Sequence, residues 1–216
     1  MITKEQADNW INHNSSDSVK IFNSGDNWNK IRSNLQHAIH QCRSSGLYCE
    51  FGVRDLRSFK AIRQLLHSDD TILHGFDTFE GLPEPWELKK TYAKGILKAE
   101  SVPGDTGTEK FYKGLFSERI PDLLTNNPDN ISFCHVDGDL YSSCNDVLYG
   151  LDERIVPGTI LVFDELHAFE SADLGKWHNL WNHECRSLME WCSNNNRKVE
   201  MFSRTDWTQA SFVVVK

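Results

Sequence analysis

Apolar positions along this chain follow two rhythms, and the change from one to the other marks its elements. The first 45 residues read as two helical pieces split by the polar turn "NHNSSDS". In the second piece Trp28, Ile31, Leu35, Ile39 and Cys42 recur at helical spacing. The pattern then shortens. "GLYCEFGV" (46–53) is an apolar run bounded by turn residues and predicts a buried strand, followed by a helix over "LRSFKAIRQLL" (56–66) and a strand over "TILHGFD" (71–77). A helix is expected at "FSERIPDLL" (116–124), a strand at "ISFCHVD" (131–137), and a helix at "YSSCNDVLYGLDERI" (141–155). "PGTILVFDE" (157–165) is a turn and a strand. Trp177, Leu180, Trp181, Leu188, Trp191 and Cys192 predict one long helix, and "KVEMFSR" with "TQASFVVVK" predicts a closing hairpin.

Strands alternating with helices imply an α/β fold with a parallel sheet covered on both faces. The exception to the alternation is "GLPEPWELKKTYAKGILKAESVPGDTG" (81–107), with two prolines close together and a Pro-Gly-Asp turn. It reads as a mobile covering segment, with a short helix possible between Trp86 and Tyr92. The expected division is therefore a helical extension over 1–45 and one domain over 46–216, carrying a lid at about 81–107.

Composition narrows the classes. With 39% hydrophobic and 25% charged residues in 216, the chain is long enough to bury a core. The net charge of −8 offers no basic surplus for a nucleic-acid backbone and suits a site that holds cations. Six cysteines form no C-x-x-C pair, as expected of reduced thiols in a cytoplasmic protein. No apolar stretch has the length of a membrane span, and the expected partner is a small molecule, with self-association left open.

In such sheets ligands collect beyond the carboxyl ends of the strands. Glu50, Asp77, Asp137 and the Asp164–Glu165 pair all fall at predicted strand ends. A lone acid there is usually a solvated turn or a cap, but agreement among several strand ends favours a site. The chain lacks both G-x-G-x-x-G and a phosphate loop, so the crevice is not built for a pyrophosphate. Glu50, with backbone N–H groups near Gly52 and Ser58, suits a ligand carrying an ammonium and a carboxylate. Asp77 suits the cis-diol of a ribose. A ribose bearing an amino acid and no phosphates describes S-adenosylmethionine. Asp137, Asp164 and Glu165 could together hold Mg²⁺. His135 and His167 fall near the crevice and are expected to be structural. Asp137 or Asp139 is the first candidate for a general base, with His167 behind them.

The stretches "EFGV", "GFDTFEGLPEPW", "HVDGDLYSS" and "PGTILVFDEL", in that order, resemble the macrocin O-methyltransferase (TylF-like) family. The likeness runs from about residue 47 to the end, including "RTDWTQASFVV". It implies the class I methyltransferase fold, a three-layer sandwich on a mostly parallel seven-stranded sheet with an antiparallel C-terminal hairpin. It also implies S-adenosylmethionine-dependent, Mg²⁺-requiring methylation of a sugar or other diol. Glu50, Gly52, Ser58, Asp77, Thr78 and Phe79 then fall to the cofactor, Asp137, Asp164 and Glu165 to the metal. Two alternatives stay open from the residues themselves. "DGD" is also a D-x-D triplet of the glycosyltransferase kind, and a methyltransferase fold can serve as a silent binding protein.

Overall fold

The computed structural model describes residues 1–42, 45–66, 68 and 70–216. The expected domain boundary near residue 45 abuts residues 43 and 44, which lie outside the described residues. The chain opens with helix α1 (Lys4–His13), started by a capping box in which Thr3 and Gln6 satisfy each other's backbone N–H groups. Strand β1 (Ser15–Phe22), helix α2 (Asn27–Gln41), strand β2 (Leu47–Phe51), helix α3 (Arg57–Leu65) and strand β3 (Leu73–Asp77) follow. A two-residue pair, β4 (Trp86–Glu87) and β5 (Thr91–Tyr92), stands apart from the main sheet. The rest is β6 (Glu109–Lys113), α4 (Phe116–Asn126), β7 (Ile131–Val136), α5 (Tyr141–Gly150), β8 (Ile160–Phe163), α6 (Glu184–Asn194), β9 (Val199–Thr205) and β10 (Ala210–Val214).

The main sheet runs β6-β3-β2-β7-β8-β10-β9-β1, parallel except for β10. Among the described residues it has eight strands, not the expected seven. The additional one is β1, in the segment read as a polar turn between helices. Its Ser and Asp residues favour turns locally. As an edge strand with one neighbour, β9, it leaves Asp17, Ser18, Lys20 and Ile21 exposed, so polarity costs it little. The N-terminal segment is thus part of the sheet.

Two further differences concern the region over the strand ends. The residues between Trp86 and Tyr92 form a hairpin in which those two side chains pair across strands, rather than a helix. The long helix expected from Trp177 begins only at Glu184. Asn179 is left-handed, and Trp177 and Leu180 pack against Leu82, Trp86 and Leu140. Burial of Trp177 beneath the 81–107 strap outweighs helical periodicity there. β6 carried no clear sequence signal; Tyr112 fixes it by stacking on Phe76 with centroids 4.4 Å apart.

Both faces of the sheet are covered. Ile31, Leu35 and Ile39 of α2 join Phe59 and Ile62 of α3 over Phe133, Ile160 and Val162. On the opposite face Ile120, Val147, Leu148, Leu188 and Trp191 pack over Cys134, Leu161 and Phe163, with Ile11 of α1 in the same cluster. The strand order reverses between β2 and β7, which opens the crevice expected at a topological switch point. Backbone bonds staple the strand ends in a row: Gly52 N–H donates to Phe76 O (2.8 Å), Asp137 N–H to Phe51 O (2.8 Å), and Asp164 N–H to Val136 O (3.0 Å). Gly52 is required here. Its φ is +101°, and a Cβ would lie 1.7 Å from the carbonyl oxygen of Asp137.

Candidate active site

The stapled strand ends open into a crevice of about 680 Å³. Gly52, Ser58, Asp77, Thr78, Asp137, Asp139, Asp164 and Glu165 line it, so most of the residues singled out in the sequence meet in one cavity. Asp77 is locked by the turns after β2 and β3. Its Oδ2 accepts from Arg54 N–H (2.8 Å) and its Oδ1 from Phe79 N–H (2.6 Å), while Thr78 Oγ1 donates to Gly81 O (2.8 Å). Phe79 itself is buried in the α2–α3 core and shapes this turn without lining the crevice.

Asp137, Asp164 and Glu165 each bring a carboxylate oxygen to within 4.8 Å of the others. The crowding shows in their protonation. Burial, followed by the Asp164 charge, pushes Asp137 and Glu165 well above the ordinary carboxylate range. Asp139 rises to about 7 for the same two reasons, against the opposing pull of Arg54. Glu165 Oε2 is buried with no hydrogen-bond partner among the described residues. Such a set of hard oxygen donors, held too close for their own charge, matches what Mg²⁺ or a similar cation needs.

Two sequence candidates lie elsewhere. Glu50 is fully buried beneath the crevice and does not line it; its Oε1 is 2.9 Å from His135 Nδ1. His167 opens onto a different cavity beside α1, where its Nε2 is 2.9 Å from Asp8 Oδ1, and burial lowers its pKa to about 4. Sequence reasoning placed it near the acids because only two residues separate it from Asp164. The backbone beyond Glu165 instead turns away, with His167 and Phe169 N–H bonding to Thr208 O and Trp207 O.

Other contributors gave no usable signal in the sequence. Glu184, fully buried at the start of α6, accepts from Glu165 N–H at 3.0 Å. Gln209 Nε2 donates to Asp164 Oδ1. Trp86, Tyr92, Trp177 and Trp207 also line the crevice, where helical periodicity alone would have made Trp177 core.

Residues 104–181 match the macrocin-O-methyltransferase (TylF) family model. No curated protein sequence matches the chain. Among solved structures, the calicheamicin methyltransferase CalS11 superposes with a TM-score of 0.65 at 21% identity, over 85% of this chain and 78% of that one. An apo form described as a TDP-rhamnose 3'-O-methyltransferase gives 0.60 at 19% identity, over 85% and 78%. The O-methyltransferase NovP gives 0.61 at 16%, over 86% and 80%. The fold is therefore that of the class I S-adenosylmethionine-dependent methyltransferases, with one strand more than the expected seven.

Proposed function

We propose that the chain is a Mg²⁺-dependent S-adenosylmethionine O-methyltransferase acting on a hydroxyl of a sugar or other diol-bearing small molecule. The observation that carries this reading is the meeting of Asp137, Asp164 and Glu165 in the same crevice as Gly52 and Asp77. Asp77 has an N–H bond on each oxygen and a spare lone pair on each, enough to accept from both hydroxyls of a ribose. Ser58 and the backbone after Gly52 line the same wall and suit the amino-acid end of the cofactor. S-adenosylmethionine supplies the methyl group on a sulfonium.

Asp137, Asp164 and Glu165 would hold the cation, whose charge stabilises negative charge developing on an acceptor oxygen. Asp139, poised near neutral pH and lining the crevice, takes the hydroxyl proton onto a carboxylate oxygen. Trp86, Tyr92, Trp177 and Trp207 offer apolar ring faces against which a sugar or aromatic ring can lie. The strap over 81–107 supplies the first two and closes over both reactants, keeping water out. Most of the rate gain comes from holding the reactants aligned. The similarity to a TDP-rhamnose 3'-O-methyltransferase supports a sugar acceptor. The methyltransferase fold leaves the D-x-D alternative without support.

Calorimetric titration with S-adenosylhomocysteine, and separately with a uridine sugar diphosphate, each with and without Mg²⁺, tests the assignment. Binding of the first alone is expected. Metal-dependent binding of the sugar nucleotide alone would overturn it.

A further inference from the structure

Glu50 and His135 are partners by construction. They lie opposite one another in the parallel register of β2 and β7, and both are fully buried. His135 Nδ1 sits 2.9 Å from Glu50 Oε1, and its Nε2 lies 3.5 Å from Asp164 Oδ1. The imidazole is thus interposed between a buried carboxylate and one of the carboxylates assigned to the cation.

We infer that Glu50 and His135 form a positioning pair for Asp164: His135, braced by Glu50, sets the Asp164 carboxylate for divalent-cation binding, and Glu50 serves the cation site rather than the cofactor. This rests on the reading of Asp137, Asp164 and Glu165 as cation ligands.

Three observations favour this role. Glu50 is shut off from the crevice, so a cofactor ammonium in that cavity does not meet it directly. Carboxylates flank the ring on both sides, Glu50 at its Nδ1 and Asp164 at its Nε2, so the ring is held against Glu50 and faces Asp164. Asp164 Oδ1 also accepts from Gln209 Nε2, so a hydrogen bond from one side and the His135 ring 3.5 Å away on the other confine one oxygen. This leaves Asp164 Oδ2 for a ligand. Outer partners of this kind fix the orientation of metal-binding groups, and their loss typically weakens metal binding about 10–100-fold.

Calorimetry of the full chain with Mg²⁺ alone, and separately with S-adenosylhomocysteine, tells the two roles apart. Glu50→Gln is expected to weaken Mg²⁺ binding about tenfold or more while leaving S-adenosylhomocysteine affinity unchanged. His135→Gln, which retains an N–H that can reach Asp164, should lose less Mg²⁺ affinity than His135→Leu, which retains only bulk. Weaker S-adenosylhomocysteine binding with unaltered Mg²⁺ binding in Glu50→Gln would overturn the proposal and return Glu50 to the cofactor. Equal Mg²⁺ affinity in all three variants would reduce the pair to packing. Should the variants fail to fold, nitrogen NMR of the wild-type chain decides. The Nε2 resonance of His135 should move on addition of Mg²⁺; a resonance that Mg²⁺ leaves unmoved would overturn the proposal. A wild-type chain that binds Mg²⁺ but not S-adenosylhomocysteine would count against the methyltransferase reading alone. One that binds no Mg²⁺ would remove the cation site and this pair with it.

Discussion

Asp77 and Asp137 face the same crevice, yet their surroundings give them separable tasks. Both oxygens of Asp77 are held by backbone N–H groups, so it is fixed before any ligand arrives. Replacing it with Ala removes two charge-assisted acceptors from the assigned ribose site. S-adenosylhomocysteine affinity should fall by roughly 10–100-fold in calorimetry. Unchanged affinity would place the ribose elsewhere. Asp137 instead shares its space with Asp164 and Glu165. Asp137→Ala should bind S-adenosylhomocysteine normally and lose methyl transfer to any accepted diol, and unimpaired turnover would remove the metal from the mechanism. Asp77, Asp137 and the Asp164–Glu165 pair were legible in the sequence because they end apolar runs, whereas Glu184, at the start of a helix, was not. Glu50 was legible as an acid at a strand end but not as a buried partner of His135. That relation depends on register between β2 and β7, on which the sequence is silent.

At the scale of elements, the N-terminal segment decides how much of the chain is structural. Ile11 of α1 is buried in the same cluster as Trp181, Leu188 and Phe212, and Trp10 lies against Phe212 with centroids 6.2 Å apart. Ile11→Ala should cost about 2–4 kcal/mol of unfolding free energy, measured by chemical denaturation. A loosely attached extension would lose less than about 0.5 kcal/mol. The sequence showed the central strands clearly because they are short apolar runs buried on both sides. It showed β1 poorly because a half-exposed edge strand carries turn-like residues. It misjudged the approach to α6 because Trp177 is claimed by the strap, a tertiary demand that outweighs local periodicity.

For the molecule as a whole, the crowded acids make stability depend on pH and on cation. Asp137, Glu165 and Glu184 hold their protons well above the ordinary carboxylate range, and Asp139 does so to about 7. Unfolded, the same groups ionise near pH ~4. The metal-free folded chain therefore binds more protons than the unfolded one above that pH, and its stability falls as pH rises. For His135, burial pulls the pKa down, but the carboxylates of Asp164 and Glu50 outweigh it and hold the ring well above its ordinary value, so its loss runs in the same direction. His74 and His167, both lowered to about 4 mainly by burial, oppose the trend only below their unfolded value near ~6.5. Between about pH 7 and about pH 8.5 the melting temperature of the metal-free protein should drop, and Mg²⁺ should shrink the drop by stabilising the ionised acids. A pH-independent midpoint that Mg²⁺ does not move would contradict both the crowding and the cation site.

The pairing of β1 with β9 joins segments about 180 residues apart along the chain. Ile2 is tied to the far end in the same way, its N–H donating to Asn182 Oδ1 at 2.8 Å and its carbonyl accepting from Trp181 Nε1 at 3.3 Å. During synthesis β1 therefore emerges long before its neighbour β9 exists, and α1 before the helix it packs against. The central strands β2, β3, β6, β7 and β8 can assemble while the beginning of the chain waits. Contacts so distant along the chain are slow to form, because a large loop must close before they repay its entropy. The edge of the sheet beside β9 is thus sealed last. Until β9 and α6 have left the ribosome, the nascent protein carries an unpaired strand and an uncovered apolar helix face, the features that draw chaperones and off-pathway association.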